Sequence, residues 1–298
     1  MSDYKYLKTE SLEDGKIARI TLNRPQARNA QNRGLLVELD HAFLEAEADN
    51  TVRVVILAGA GPSFSAGHDM GTPEAMEERT PGPNQHPTLI SYGGELLGVE
   101  KRMLQEWHFF MKNTMRWRDL RKVTIAQVQG KCYAGGLMLA WACDLIVAAE
   151  DAEFADVVGA RLGMCGLEYF AHPWEFGARK AKELLLTGDS LGADEAYRLG
   201  MVSKVFKTDR LEADTLEFAR RIAMRPSVTS LLIKESVNQT QDNQGFHNAI
   251  QACFSIHQMN HAHWSEVNGG GRAAALPENG VPSWRDAPPL VAANKTAP

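Results

Sequence analysis

The chain has 298 residues, of which 44% are hydrophobic and 23% charged, so it is long enough to bury a substantial core. Its 32 basic and 37 acidic side chains give a net charge of −5, which argues against binding to nucleic acid or to an anionic membrane. The longest strongly apolar uncharged stretch, 132–143, is too short to cross a bilayer, the first residues lack a signal core, and the four cysteines form no CxxC pair. We therefore expect a reduced, cytoplasmic protein.

The first half of the chain alternates strand-like and helix-like segments. Leucines at helical spacing predict a helix over about 35–49, and small apolar residues predict a second helix after Ala134. Strands separated by segments of helix length indicate parallel crossovers and an α/β layered fold. The predicted strands are Ile17–Leu22, 54–57, Val123–Val128 and Leu145–Ala149.

Residues 71–118 form an irregular region. Three prolines within 80–87 predict a loop, and 95–118 is predicted to be one long helix. The predicted apolar face of that helix carries Leu97, Met103, Leu104, Trp107, Phe110, Met111, Thr114 and Trp117.

The second half of the chain is mostly helical after residue 171. The pattern predicts a helix that Gly188 caps, a helix over Ala193–Leu199, a short strand over 201–206, and three further helices over 211–224, 226–238 and about 246–267. Residues 268–298 are rich in Gly, Pro and Ala and predict an extended tail that lies on a neighbouring subunit.

Two turns rich in small residues each follow a buried strand. One is Phe64-Ser65-Ala66-Gly67-His68-Asp69, and the other runs from Gly130 to Gly136 and opens a helix. Small residues let a ligand approach the main chain, and a helix N-terminus supplies free N–H donors. If the two turns converge, they form an oxyanion hole. Either turn alone is equally consistent with tight turns and close helix packing.

Five segments in this order resemble the crotonase superfamily, the enoyl-CoA hydratases and isomerases. The resemblance extends over about 17–259. The segments are 22–30 (Leu-Asn-Arg-Pro-Gln-Ala-Arg-Asn-Ala), 64–69, Gln129-Gly130 with Gly135-Gly136, Ala142-Cys143-Asp144, and 186–191 with 196–202.

The resemblance implies a core of repeated ββα units over 1–205, a helical trimerisation region over 206–267 and a tail over 268–298. It further implies a homotrimer or hexamer and an acyl-CoA substrate, with coenzyme A only as part of that substrate and no other cofactor. It assigns the oxyanion donors to the backbone N–H groups of His68 and Gly135. The residues implied to contact CoA or the acyl group are Arg24, Ala27, Arg28, Ala66, Asp69, Met70 and Met138.

The sequence departs from the hydratases at both catalytic glutamates. Hydratases of this family use two glutamates to add water, and the matching positions here are Met138 and Val158, or a shifted register near Gly159. Neither side chain exchanges protons. Glu168 and Asp156 are the candidate replacements, with Tyr169 and His172 beside Glu168.

Each replacement candidate also has a purely structural explanation. Asp156 is equally consistent with a turn cap, Glu168 with the start of a helix, and His172 with a packed core histidine. The side chain of His68 is a further candidate for contact with the acyl group.

The aromatic side chains of the irregular region either line a bulky acyl pocket or belong to the core. They are Tyr92, Trp107, Phe109, Phe110 and Trp117. His261 and His263 lack carboxylate or cysteine partners at useful spacing, so no metal site is expected.

Three functions stay open at this point. One is an enoyl-CoA hydratase or isomerase, the second is another crotonase reaction such as thioester hydrolysis, decarboxylation or C–C cleavage, and the third is a non-catalytic acyl-CoA-binding protein. A dinucleotide-binding fold is disfavoured, because no GxGxxG with a following acidic residue fits around 58–62.

Overall fold

The computed structural model describes residues 3–79 and 89–267. Within these ranges the strands form one six-stranded sheet, in the order β1-β2-β3-β4-β6-β9, and one three-stranded sheet, in the order β5-β7-β8. The strands are β1 (Leu7–Leu12), β2 (Ile17–Leu22), β3 (Val54–Gly59), β4 (Val123–Val128), β5 (Lys131–Tyr133), β6 (Leu145–Ala149), β7 (Glu153–Ala155), β8 (Leu191–Gly192) and β9 (Lys204–Phe206).

The large sheet is parallel except at one edge. β1 pairs with β2 antiparallel, and the pairs from β2 through β3, β4 and β6 to β9 are all parallel. The register places Val54 of β3 between Ile17 of β2 and Val123 of β4. The predicted α/β fold with parallel crossovers is confirmed.

Helices connect the strands and cover the sheets. They are α1 (Arg33–Ala48), α2 (Pro73–Arg79), α3 (Gly98–Gln105), α4 (Asn113–Arg118), α5 (Gly135–Trp141), α6 (Val158–Leu162), α7 (His172–Phe176), α8 (Ala178–Thr187), α9 (Ala193–Leu199), α10 (Leu211–Ala223), α11 (Ser227–Asn243) and α12 (Phe246–Val267). None of the helices within the described ranges is long and apolar enough to cross a membrane.

Both faces of the large sheet are buried, which explains its continuous apolar strands. Successive side chains of a strand point to opposite faces, so Val55 and Leu57 join the main core cluster whereas Val54 and Ile56 join a second cluster. The second cluster includes Ala219 of α10, which packs on this sheet. The helical region after β9 therefore contributes side chains to the core, through α10.

The region predicted as one long helix contains a π-helical turn. Residues 98–118 are continuously helical, but Glu106–Lys112, between α3 and α4, is π-helical. A π turn shifts the phase of the side chains, so the predicted apolar face is wrong in its first half. Leu97 and Trp107 are exposed, and the chain buries polar residues there instead. The buried polar residues are Lys101, Gln105 and Glu106.

The structure adds short elements that hydrophobic patterning missed. β1 alternates charged residues along an edge, and β5, β7 and β8 are at most three residues long. The predicted strand over 201–206 is shorter, because only Lys204–Phe206 pairs with β6. The predicted loop over 80–87 and the predicted tail over 268–298 lie outside the described residues.

Candidate active site

The two glycine-containing turns lie against one another. Ser65, in the turn after β3, donates its N–H to the carbonyl of Lys131 (3.1 Å), and its own carbonyl accepts the N–H of Tyr133 (2.9 Å). These bonds attach the first turn to β5, which leads into α5 and its first residue, Gly135. The two segments that the sequence singled out are therefore adjacent in the fold.

Close contact between the turns requires glycine at positions 67 and 135. Gly67 has a φ of +91°, and a Cβ there would lie 2.8 Å from the amide nitrogen of Gly135. A Cβ on Gly135 would lie 2.5 Å from His68 Cδ2. Both distances are far below van der Waals contact, so a larger residue at 67 would push the turns apart, and one at 135 would displace the His68 imidazole. His68 and Gly135 are thus direct neighbours.

Main-chain hydrogen bonds hold the turn on both sides of His68. The N–H of Gln31 donates to the Gly67 carbonyl (2.8 Å), and the N–H of Asp69 donates to the Gln31 carbonyl (3.0 Å). The side-chain amide of Gln31 also donates to Ser65 Oγ (3.1 Å). These bonds fix the orientation of the His68 peptide, as a preorganised hydrogen-bond donor requires.

The imidazole of His68 contacts an aromatic ring and a carboxyl group. It stacks on Phe110, with ring centroids 3.6 Å apart, and its Nδ1 lies 3.7 Å from Glu168 Oε1. Phe110 belongs to the π-helical turn, so the irregular region does reach this site.

The other aromatic candidates lie elsewhere. Phe109 and Trp117 are core residues, and the indole N–H of Trp117 donates to Asp40. Trp107 and Tyr92 are exposed, and Tyr92 stacks on His108.

Glu168 is a buried acid beside His68. It lies in the loop between α6 and α7 and is 5% exposed. Burial, together with the nearby Glu106 carboxylate, raises the pKa of Glu168 well above its usual value. The same Oε1 that lies near His68 also lies 3.6 Å from His257 Nε2. A buried carboxyl group with a raised pKa, next to the His68 turn, is suited to proton transfer.

Asp156, the other candidate acid, is engaged in the fold. Its Oδ1 accepts the N–H of Val158 (2.9 Å) and its Oδ2 lies 2.9 Å from His172 Nε2. Both residues of the Asp156–His172 pair are buried, and His172 packs edge-on against Trp141. Asp156 thus caps the start of α6 and orients His172, as the structural alternative predicts.

Arg24, a predicted CoA contact, has its guanidinium inside the protein. It is 2% exposed and bonds Asp69 Oδ2 (2.7 Å), Thr72 Oγ1 (3.2 Å) and the carbonyl of Ala30. Asp69 is equally buried, and its carboxylate also accepts the N–H groups of Gly71 and Thr72. These contacts tie the Asn-Arg-Pro turn to the segment after His68, and contact of Arg24 or Asp69 with CoA stays a prediction.

Asp69→Asn is expected to lower the free energy of unfolding by about 3–5 kcal/mol near neutral pH, because Arg24 would keep its buried charge and lose its partner. Burial alone would raise the pKa of Asp69, but hydrogen bonds from Thr72, Arg24 and Gly71 outweigh it and lower this pKa. The lowered pKa means that the wild-type carboxylate stabilises the fold above its unfolded pKa and loses this effect as pH falls through the folded pKa. Urea unfolding at neutral and at increasingly acid pH measures both effects.

The difference in free energy of unfolding between wild type and Asp69→Asn should become smaller as the pH falls. Exposed Asp209→Asn should have the same free energy of unfolding as wild type at every pH. A difference below about 1 kcal/mol at neutral pH would show that the buried pair is not a structural link.

The remaining predicted CoA contacts lie at the surface beside this link. Arg28 is exposed, has a φ of 52°, and accepts the N–H of Ala66 on its carbonyl (2.9 Å). Ala27 is half-buried, and Met70, two residues after His68, is 48% exposed. Arg28 and Ala66 are therefore adjacent on the accessible side of the turns. Their contact with CoA stays a prediction.

The comparison with protein families covers most of the chain. The model of the enoyl-CoA hydratase/isomerase family matches residues 13–89 and 86–268. The chain belongs to the enoyl-CoA hydratase/isomerase family. The resemblance to the crotonase superfamily is thereby confirmed, and so is the fold that it implied.

Relatives within the family carry more than one kind of name. A protein of Mycobacterium tuberculosis (strain H37Rv), named as an enoyl-CoA hydratase, EchA13, is 61% identical over 296 residues, which are 99% of this chain and 93% of that protein. The 4-chlorobenzoyl coenzyme A dehalogenase-2 of Arthrobacter sp. is 29% identical over 257 residues, 84% of this chain and 85% of that protein. The crystal structure of a protein named as a probable enoyl-CoA hydratase from Mycobacterium smegmatis matches with a TM-score of 0.77 at 44% identity, covering 89% of this chain and 98% of that one.

The positions predicted to match the two glutamates of the hydratases hold apolar side chains, and the match itself, with Val158 or with the shifted register near Gly159, stays a prediction. Met138 is buried in α5, and Val158 begins α6. Met138 lies one turn after Gly135, so a contact with the acyl group stays a prediction for it.

Sequence reasoning missed one group of residues at this site. Glu106, His257 and Gln258 are buried beside Glu168, and His257 contacts the same Glu168 oxygen as His68 does. His261 does have a carboxylate partner, since its Nε2 lies 3.3 Å from Glu106 Oε1. Glu106 and α12 are far apart in the sequence, so no local spacing of residues predicts this pairing.

Proposed function

We propose that this chain acts on the thioester of an enoyl-CoA, with the backbone N–H groups of His68 and Gly135 as the oxyanion hole. The observation that carries the proposal is the direct contact of the two turns at Gly67, His68 and Gly135. A thioester carbonyl gains negative charge as its α-carbon becomes enolate-like, and fixed donors stabilise that charge. Each donor contributes roughly 3–4 kcal/mol of transition-state stabilisation.

Glu168 is the proton-transfer group in this proposal. It is the carboxyl group that contacts His68, whereas both oxygens of Asp156 are held by Val158 and His172. As a carboxylate, one such group suffices to take a proton from C2 of a 3-enoyl thioester, which leaves a dienolate, and to return that proton to C4, which is double-bond isomerisation. Hydration needs one group to deprotonate the water and one to protonate the α-carbon. The single contact therefore favours isomerisation, with hydration as the second candidate.

The two reactions are distinguished on paired substrates. We expect the purified protein to convert a 3-enoyl-CoA to the conjugated 2-enoyl-CoA, seen as a gain of enone absorbance. Hydration of crotonyl-CoA would instead remove that absorbance. Binding of both thioesters without turnover would contradict the catalytic proposal and favour an acyl-CoA-binding protein. Turnover only of a chlorinated aromatic thioester would place the protein with the dehalogenases among its relatives.

The assembly proposed with this function is a homotrimer or hexamer. The two C-terminal helices carry several exposed apolar side chains, and an exposed apolar surface is typical of a contact with another protein chain. These side chains are Val228, Leu232, Ile233 and Val237 of α11 and Ile256 and Met259 of α12. We take this surface, together with the family membership, as support for association through the C-terminal region.

Leu232→Glu is expected to convert the assembly to monomers, because a buried charge without a partner opposes association. Light scattering after size exclusion should give three or six times 32.9 kDa for wild type and 32.9 kDa for the variant. Leu186→Glu adds the same charge at an exposed leucine on α8, outside the C-terminal helices, and should leave the mass unchanged. A monomeric wild type would contradict the proposed assembly.

A further inference from the structure

The carboxylate of Glu106 and the imidazoles of His257 and His261 lie close together beside Glu168. Glu106 is the first residue of the π-helical turn, and His257 and His261 lie one helical turn apart on α12. Glu106 Oε1 lies 3.3 Å from His261 Nε2, and Oε2 lies 3.9 Å from His257 Nε2. One potential ligand atom from each residue falls within 4.8 Å of both others. Two elements distant in sequence thus bring three metal-ligating side chains to one point.

The tautomer of His257 leaves a lone pair directed at this point. Its Nδ1 lies 2.8 Å from the carbonyl oxygen of Gly166, which accepts only, so Nδ1 carries the proton in neutral imidazole. Nε2 is then an acceptor, and it is buried without a hydrogen-bond partner in the described part of the chain. The atoms that it faces are carboxylate oxygens of Glu106 and Glu168. Metal-ligating histidines typically donate their other ring N–H to a backbone carbonyl in this way.

The local charge favours a cation. Glu106 and Glu168 are both buried, and among the residues described their ion pairs are with histidines alone. Gln258 donates to Glu106 Oε2 (2.7 Å), which orients the carboxylate. A divalent ion would balance the buried Glu106 carboxylate and supply the missing partner of His257 Nε2.

We propose that Glu106, His257 and His261 form a binding site for a divalent transition-metal ion, with Zn²⁺ as the best match. Two histidines and one glutamate are a ligand set of zinc sites that keep one position open. With zinc–ligand bonds of about 2.0–2.2 Å, tetrahedral ligand atoms are roughly 3.4 Å apart, so small side-chain shifts close the observed arrangement. The open position faces Glu168, whose Oε1 lies 3.6 Å from His257 Nε2.

The metal site is independent of the proposed reaction, so its test measures binding rather than turnover. Tag-free protein purified without chelators is analysed for metal by mass spectrometry, then stripped and titrated with Zn²⁺ and with Co²⁺. We expect about one ion per chain and visible absorption bands of tetrahedral Co²⁺. Glu106→Gln and His261→Ala should each weaken binding by more than the roughly 10–100-fold typical of losing an outer-shell partner.

His263→Ala is the matched control, since His263 is exposed on the same helix two residues from His261. This variant should bind both ions as wild type does. Equal loss in His263→Ala and His261→Ala would overturn the site, as would a stripped wild type that binds neither ion. If His261→Ala fails to fold by circular dichroism, the near-isosteric Glu106→Gln and the wild-type Co²⁺ spectrum decide the outcome.

Discussion

Replacing Gly135 by alanine is expected to lower kcat/KM for the enoyl-CoA reaction by about 100–1,000-fold. The added Cβ would lie 2.5 Å from His68 Cδ2 and 3.1 Å from Gln31 Oε1. The His68 imidazole and the Gln31 side chain, which bonds Ser65 of the same turn, would then have to move, and the turn that carries one of the two amide donors would be displaced. Steady-state kinetics with the enoyl-CoA that the wild type converts fastest measures the loss.

Gly192→Ala adds the same methyl group where nothing lies within 4 Å of it. This control should stay within about twofold of wild type, as expected for a substitution away from core and site. A folded Gly135→Ala protein with wild-type kcat/KM would show that the reaction does not use this contact between the turns.

Glu168→Gln is expected to lower kcat by about 100–10,000-fold while the dissociation constant for acyl-CoA stays close to wild type. Glutamine keeps the size of the side chain but can neither take nor return a proton beside His68. The loss should therefore fall on the chemical step. Single-turnover kinetics together with a calorimetric titration of a non-reacting acyl-CoA separate the two quantities.

Two matched variants accompany Glu168→Gln. Asp156→Asn should mainly lower the melting temperature, because Asp156 caps α6 and pairs with buried His172. Exposed Glu183→Gln on α8 should change neither property, since its pair with Lys180 is a surface ion pair. If Asp156→Asn stopped turnover in a stably folded protein and Glu168→Gln did not, the proton-transfer role would pass to Asp156.

The parallel sheet could be predicted because its strands are buried on both faces. Leu145–Ala149 is apolar throughout, Val123–Val128 is apolar except for Thr124 and Gln127, and each is followed by small or polar residues. The two turns could also be predicted, because in each case a strand and a run of small residues follow one another directly in the sequence, and the second run leads into a helix. These features depend on neighbours in sequence, where periodicity is informative.

The helix over 98–118 shows why the predicted apolar face failed. The prediction assumed 3.6 residues per turn, but the π-helical turn at Glu106–Lys112 changes the phase of the side chains. Trp107, assigned to the apolar face, is exposed, while Glu106 beside it is buried against α12. The hydrophobic pattern of a sequence does not predict where a phase shift of this kind occurs.

Long-range pairs set the other limit on prediction. The resemblance implied a contact of Arg24 with CoA, which stays a prediction, but it did not indicate the buried ion pair of Arg24 with Asp69. Glu106 meets His257 and His261 only because α12 folds back across the π-helical turn. Because the two residues of such a pair come from distant segments, the pairing can be identified only in the folded structure.

The most direct test of the central claim is a crystal structure of the wild-type protein with an unreactive acyl-CoA bound. The account predicts that the thioester oxygen lies about 3 Å from the amide nitrogens of both His68 and Gly135. It also predicts that the Glu168 carboxyl reaches the α-carbon region directly or through one water. A thioester oxygen bound to other groups, or to one of these amides alone, would contradict the account.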